Sequence, residues 1–159
     1  MNTLNEPKIV EKAAFRVVGL RYEGKNEHGE IPAMWDQFIP RIGGLVPDPA
    51  KWVAYGISRS IQGVDVNEKW EYLAGVELPH AIKIPSDMVV WEIPALTYAV
   101  LPANDVPGIG PITNYFEKEW LPHSQEWEAD VPMMIELYPE TYSQDLVIYL
   151  YFPIRRKGK

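Results

Sequence analysis

The distribution of apolar residues predicts an α+β fold of two strand-helix-strand-strand units, with antiparallel sheets, helices on the outside and a cleft at the centre. Three observations support this. Two segments repeat apolar residues at helical spacing, each follows one β-favouring run and precedes two more, and glycine and proline clusters punctuate the series.

Between Lys8 and Tyr22, Phe15, Val17, Val18 and Leu20 stand in a β-favouring setting, which predicts a strand near Ala14 to Glu23. Gly24 to Glu30 is polar and turn-like. Pro32 suits a first helical position, and Met34, Trp35, Phe38, Ile39 and Ile42 recur at helical spacing until Gly43-Gly44 stops them, despite Pro40 near the end. Pro47 and Pro49 mark a loop. Trp52 to Ser58 and Lys69 to Leu78 then read as two strands of a hairpin, joined by the polar stretch from Gly63 to Asn67.

Val89 to Leu101 reads as one long strand, bent or interrupted at Pro94, because proline donates no ladder hydrogen bond. Pro107 to Pro111 is a turn that enters the second helix. Ile112, Tyr115, Phe116, Glu119 and Trp120 recur every three or four positions, and Pro122 closes the helix. Met133 to Tyr138 and Leu146 to Ile154 are the last two strands, joined through Pro139 to Asp145. The halves, about 8–84 and 88–155 of a single domain spanning 1–159, match as a duplicated unit. Side by side they leave a natural concavity at their seam, where a ligand would sit; a closed, dry core is the alternative.

Composition narrows the function. Apolar residues at 47% and charged residues at 23% suit a globular chain, and 159 residues are about one domain. Fifteen basic against 22 acidic residues, a formal charge of −7, oppose direct nucleic-acid binding, and the only basic cluster is the tail from Arg155 to Lys159. There is no cysteine, so disulfides, thiolate metal sites and a cysteine nucleophile are excluded. His28, His80 and His123 are scattered without metal-ligand spacing, and no cofactor fingerprint occurs, so neither a metal nor a cofactor is expected. No signal-peptide apolar stretch or long apolar run is present, which predicts a cytoplasmic protein without a membrane partner.

One residue stands out. Glu136 interrupts the apolar run Met133-Met134-Ile135-Glu136-Leu137-Tyr138, and a carboxylate buried there needs a partner. Nine tyrosines, six tryptophans and four phenylalanines accompany it, and aromatic faces with one negative charge are what an organic cation requires. Alternation places Met134 and Tyr138 on the face of Glu136. In the last strand Tyr149 and Tyr151 share a face and are candidates to flank the acid. Trp70, Tyr72, Ala74 and Val76 share another face, where Ala74 or Gly75 leaves space for a ring or marks close strand packing. Alternation alone leaves Glu136 either wet or in a pocket.

Four segments in order carry a family resemblance: Trp70 to Glu77, Ile112 to Pro122, Ile135-Glu136-Leu137-Tyr138, and Leu150-Tyr151-Phe152-Pro153-Ile154. Together they resemble the gyrase-inhibitor-like (GyrI-like) effector-binding domain over about Lys8 to Arg155. The resemblance implies a duplicated fold whose central cleft binds drugs and other small organic molecules. Such domains form the sensory part of AraC-type and MerR-type regulators or stand alone, and the early first strand suggests a stand-alone member. The family's ligand-binding acid falls on Glu136 and the tyrosine of its Tyr-x-Pro-Ile motif on Tyr151, while Tyr72 and Trp91 follow from their neighbourhoods.

The expected function is therefore binding of cationic or amphipathic aromatic molecules, for sensing or sequestration. Burial should raise the pKa of Glu136 and a bound cation should lower it, so binding weakens in acid. Two other readings follow from the resemblance: a hydrolase of strained electrophiles using Glu136 as acid or base with Tyr151 as donor, and a protein partner such as a regulator or DNA gyrase. Oligomeric state is not legible.

Overall fold

The computed structural model describes residues 6–48, 50–78 and 81–158. Pro49, Pro79, His80, Lys159 and the first five residues lie outside it. The elements run β1 (Lys8–Lys12), β2 (Phe15–Gly24), α1 (Glu30–Phe38), β3 (Ala54–Arg59), β4 (Trp70–Glu77), β5 (Val89–Ile93) and β6 (Leu96–Asn104), followed by α2 (Ile109–Tyr115), α3 (Leu121–His123), β7 (Trp127–Ala129), β8 (Met133–Tyr138), α4 (Tyr142–Asp145) and β9 (Val147–Arg156).

The two halves are fused into one nine-stranded antiparallel sheet, not packed as separate sheets. Its order is β1-β6-β9-β8-β3-β4-β2-β5, with β7 on the far end of β9. That order is palindromic: β2-α1-β3-β4 mirrors β6-α2-β8-β9, and β3 pairs with β8 at the seam. Each half also lends its leading strand to the other. Thus β1 pairs with β6, and β5 pairs with β2.

These exchanges explain two departures from expectation. Val89 to Leu101 is interrupted at Pro94 as expected, but the pieces do not stay together: they go to opposite wings of the sheet. The N-terminal run is likewise two strands, because Ala13-Ala14 is a crossover that carries no turn residue to announce it. Short β7 and α4 were not expected from pattern at all, since three or four residues hold too little periodicity.

Helix starts and stops also shift. The first helix begins at Glu30, before Pro32, where the Ile31 N–H donates to Asn26 Oδ1 at 2.9 Å and the His28 N–H to Glu30 Oε1 at 2.9 Å. Past Phe38 it tightens into a 3-10 turn over Ile39–Gly44 that accommodates Pro40. The second helix is not closed by Pro122. It widens into a π turn over Phe116–Trp120 and continues as α3 through that proline, whose ring the regular ladder would not admit.

Sheet register separates the core into three clusters. Ile57, Ile135, Leu73, Val17, Trp91 and Tyr98 pack on the face that carries no helix. On the other face, Val18, Tyr72 and Val76 pack under α1 with Phe38, while Leu101, Leu150 and Phe152 pack under the second helix with Phe116. Gly75 is the tight-packing case: it sits opposite Gly19, and a Cβ there would come within 2.6 Å of the Val18 carbonyl oxygen. The strands approach too closely for any larger pair.

Candidate functional site

At the seam, β3 and β8 pair Ala54 with Tyr138, Gly56 with Glu136 and Ser58 with Met134. Paired residues of an antiparallel ladder share a face, and this one faces the helices. On it β3 contributes only small side chains, Ala54, Gly56 and Ser58, so the sheet is hollow between α1 and the start of α2. The resulting cavity has a volume of about 460 Å³. Its walls include Trp35 of α1, Trp52, Trp70, Tyr72, Tyr138 and Tyr142, with Glu136 at the floor.

Glu136 is the one buried charged residue among those described, with 8% exposure. Its Oε1 accepts hydrogen bonds from the Tyr72 and Tyr138 hydroxyls, each at 2.9 Å. The Tyr72 hydroxyl in turn accepts from Trp35 Nε1 at 2.9 Å. No cation reaches the carboxylate among the described residues. Loss of hydration therefore dominates and raises its pKa to about 7, against the lowering effect of the Tyr138 and Tyr72 hydroxyls. The same burial, with the negative charge beside them, pushes both phenols well above their ordinary range.

Gly56 makes this contact possible. A Cβ at that position would overlap the Tyr72 hydroxyl and come within 2.6 Å of Glu136 Oε1. Ring packing fixes the walls: Trp35 lies 5.3 Å from Tyr138 between ring centres, and Tyr142 meets Tyr138 edge to face at 5.1 Å. Chemically, the hollow offers a largely aromatic lining and one buried acid at its floor, with the exposed Asp36 and the side chains of Asn26 and Ser58 also along its wall. Among the described residues no group of histidine and acidic side chains is placed to hold a metal, and no helix is long and apolar enough to cross a membrane.

The sequence pattern of the integron-associated effector binding proteins (Cass2) matches residues 8–154. The chain belongs to that family. Among solved structures, SAV2435, solved bound to tetraphenylphosphonium, superposes with a TM-score of 0.66 at 16% identity, covering 94% of each chain. A Vibrio cholerae integron cassette protein gives 0.60 at 14% identity over 93% of this chain and 95% of that one. The C-terminal domain of EcmrR gives 0.63 at 12% identity over 93% and 96%. These establish a shared GyrI-like fold. The transcriptional regulator BrlR of Pseudomonas aeruginosa is 36% identical over 93 residues, 58% of this chain; the chain spans about a third of that regulator's length, 33%.

Of the six candidates from the sequence, Glu136, Tyr72 and Tyr138 come together in this cavity. The other three do not line it. Glu136 pairs with Leu150, whereas Tyr151 pairs with Ile135 and Tyr149 with Leu137, so both tyrosines point to the helix-free face. Tyr151 packs edge to face on Tyr98 at 5.4 Å, and Tyr149 is exposed. Trp91 pairs with Val17 on that same face, under the Arg59 guanidinium at 3.6 Å. Register, which alternation within one strand does not specify, decides against the expected flanking of Glu136 by Tyr149 and Tyr151.

Several site residues escaped the sequence reading. Trp35 reads as an ordinary core position of an amphipathic helix, and Tyr142 lies in what reads as a connecting loop. The small-large alternation Ala54-Tyr55-Gly56-Ile57-Ser58 is the signal that would have found the floor, because three small side chains on one strand face leave a gap above them.

Proposed function

We propose that this protein is a receptor for small organic cations with apolar, aromatic bodies, held in the cavity above Glu136 as effectors to be sensed or sequestered. One observation carries the reading: a buried carboxylate, bonded only to two phenols, faces an aromatic hollow of about 460 Å³. A carboxylate kept from water without a cation is costly, and an entering cation relieves that cost while the rings contact its positive surface. Membership of an effector-binding family supports this, as does a relative of the same fold solved with tetraphenylphosphonium, a cation wrapped in four aromatic rings.

Protonation should be linked to binding. Glu136 titrates at about 7, so an entering cation displaces a proton from it at neutral pH. Titration of tryptophan fluorescence with tetraphenylphosphonium and with neutral triphenylphosphine oxide tests the charge. Glu136→Gln should weaken the cation on the order of 100-fold and the neutral compound less than about threefold. Equal losses would refute the role of the charge.

A buried carboxyl that exchanges its proton near neutrality in a largely aromatic cavity is also suited to general acid or base chemistry, and this favours a hydrolytic reading as the second one. Product formed from a strained electrophile by the purified protein, and lost in Glu136→Gln, would favour turnover. Ligand recovered unchanged would favour simple binding.

A further inference from the structure

Tyr142 is a wall of the cavity, yet its own element is too small to hold it there. It opens α4, a four-residue helix in the connection from β8 to β9, and a single helical turn has no stability of its own in water. Something outside the helix must fix the ring. Among the described residues, two hydrogen bonds join this connection to the turn between β6 and α2, and both end on Asp105. The Tyr142 hydroxyl donates to Asp105 Oδ1 at 2.5 Å, and the Asp105 N–H donates to the Leu146 carbonyl at 2.7 Å.

Asp105 occupies an unfavourable conformation to do so. Its φ of 57° and ψ of −177° lie beside the extended positive-φ region that only glycine ordinarily occupies, and Leu146 opposite it is left-handed, at φ 57° and ψ 31°. Glycine at 105 would relieve the strain but would leave the Tyr142 hydroxyl without its acceptor. That hydroxyl, and after it the Val106 N–H, draw the Asp105 carboxyl below its ordinary pKa. From Tyr142 the contact reaches the acid through one ring. Tyr142 meets Tyr138 edge to face at 5.1 Å, Trp35 packs on Tyr138 at 5.3 Å, and the clamped Tyr138 hydroxyl donates to Glu136 Oε1 at 2.9 Å. Of the two clamping rings, only Trp35 stands on a helix of more than a turn.

Resting on the receptor reading above, we infer that Asp105 is a positioning residue for the Glu136 site: it anchors Tyr142 and so holds the Tyr138 hydroxyl on the carboxylate. Asp105 itself does not line the cavity. Once Tyr142 is released, Tyr138 turns away, and the carboxylate keeps only the Tyr72 hydroxyl of its two donors. A carboxylate with one donor fewer holds its proton more tightly, so a cation displaces that proton less readily. The titratable side chains facing Glu136 are Tyr72 on β4 and Tyr138 on β8, with Tyr142 and Asp36 elsewhere on the wall. Burial, first of all, holds the three tyrosines above their ordinary pKa, so they stay protonated between about pH 5 and 9.

The test measures tetraphenylphosphonium affinity across that pH range by tryptophan fluorescence. Asp105→Asn keeps an acceptor for the Tyr142 hydroxyl and should bind within about twofold of the parent. Asp105→Gly and Tyr142→Phe each break the anchor, and both should bind about three- to tenfold more weakly at neutral pH, with the pH midpoint of binding displaced upward. If the effect passes through Tyr138, it vanishes when that hydroxyl is already gone. The double variant Asp105→Gly/Tyr138→Phe should therefore bind within about twofold of Tyr138→Phe alone. Parent-like binding by Asp105→Gly, an unmoved pH midpoint, or a full further loss in the double variant would overturn the inference and leave the receptor reading standing. The receptor reading itself falls if Glu136→Gln leaves tetraphenylphosphonium affinity unchanged.

Discussion

The two faces of the seam are built from the same strands, yet one is packed and the other hollow. On the helix-free face, Tyr55, Ile57, Ile135 and Tyr98 interlock into a closed core. On the helix face, one residue along, Ala54, Gly56 and Ser58 leave a cavity floored by an acid. The difference shows how a pocket is made without sacrificing a sheet: backbone pairing runs uninterrupted, and only the sizes of alternate side chains change.

The largest expected effect breaks the packed face. Ile57→Ala should destabilise the protein by about 2–5 kcal/mol through cavity formation, with affinity for tetraphenylphosphonium kept within about twofold in urea-titrated, still folded samples. Gly56→Ala tests the neighbouring position. Its methyl group meets the Tyr72 hydroxyl and Glu136, so a cost of about 1–3 kcal/mol should come together with loss of cation binding. Stability loss with normal affinity there would mean that Gly56 only eases strand packing.

Glu136 offers a sharper contrast, because its contribution has a sign. Its folded-state pKa is raised from 4.5 to about 7, so the folded protein holds the proton more tightly than the unfolded chain. That stabilisation is complete below about 4.5 and is lost as pH rises through about 7. Glu136→Gln should therefore be more stable than the parent at pH 8 by on the order of 1–3 kcal/mol, and the gap should shrink toward pH 5. Denaturant unfolding at the two pH values measures it. Cation affinity runs the opposite way, falling about tenfold per pH unit below about 7 in the parent and staying flat in the variant.

Smaller effects separate the tyrosines. Tyr138→Phe removes one donor from the buried carboxylate and should raise its pKa further, shifting the pH profile of binding upward with an affinity loss on the order of three- to tenfold at pH 7. Tyr151→Phe, on the packed face, should change affinity by less than about twofold. An equal response in the two would erase the distinction between the faces.

Much of the architecture was legible because burial leaves a periodic trace. The strands at Phe15, Trp70, Met133 and Val147 and the helices at Trp35 and Ile112 follow apolar spacing, and the repeated order follows from them. Glu136 was conspicuous for the same reason, as a charge inside an apolar strand. Its companion Tyr138 was legible two residues away on the same strand face. Tyr149 and Tyr151 were not: alternation says which residues of one strand share a face, but not which face of the next strand lies beside it.

The chain itself therefore determined the element types, the acid and the aromatic supply, since these depend on local spacing and composition. Tertiary structure decided the rest. Pairing Gly56 with Glu136, sending β1 and β5 to opposite wings and bringing α1 over Tyr72 are long-range choices of register and connection. They place the side chains of Trp35, Tyr72 and Tyr138, and the bare backbone of Gly56, around the Glu136 carboxylate, and no periodicity within a single segment encodes a distance between segments.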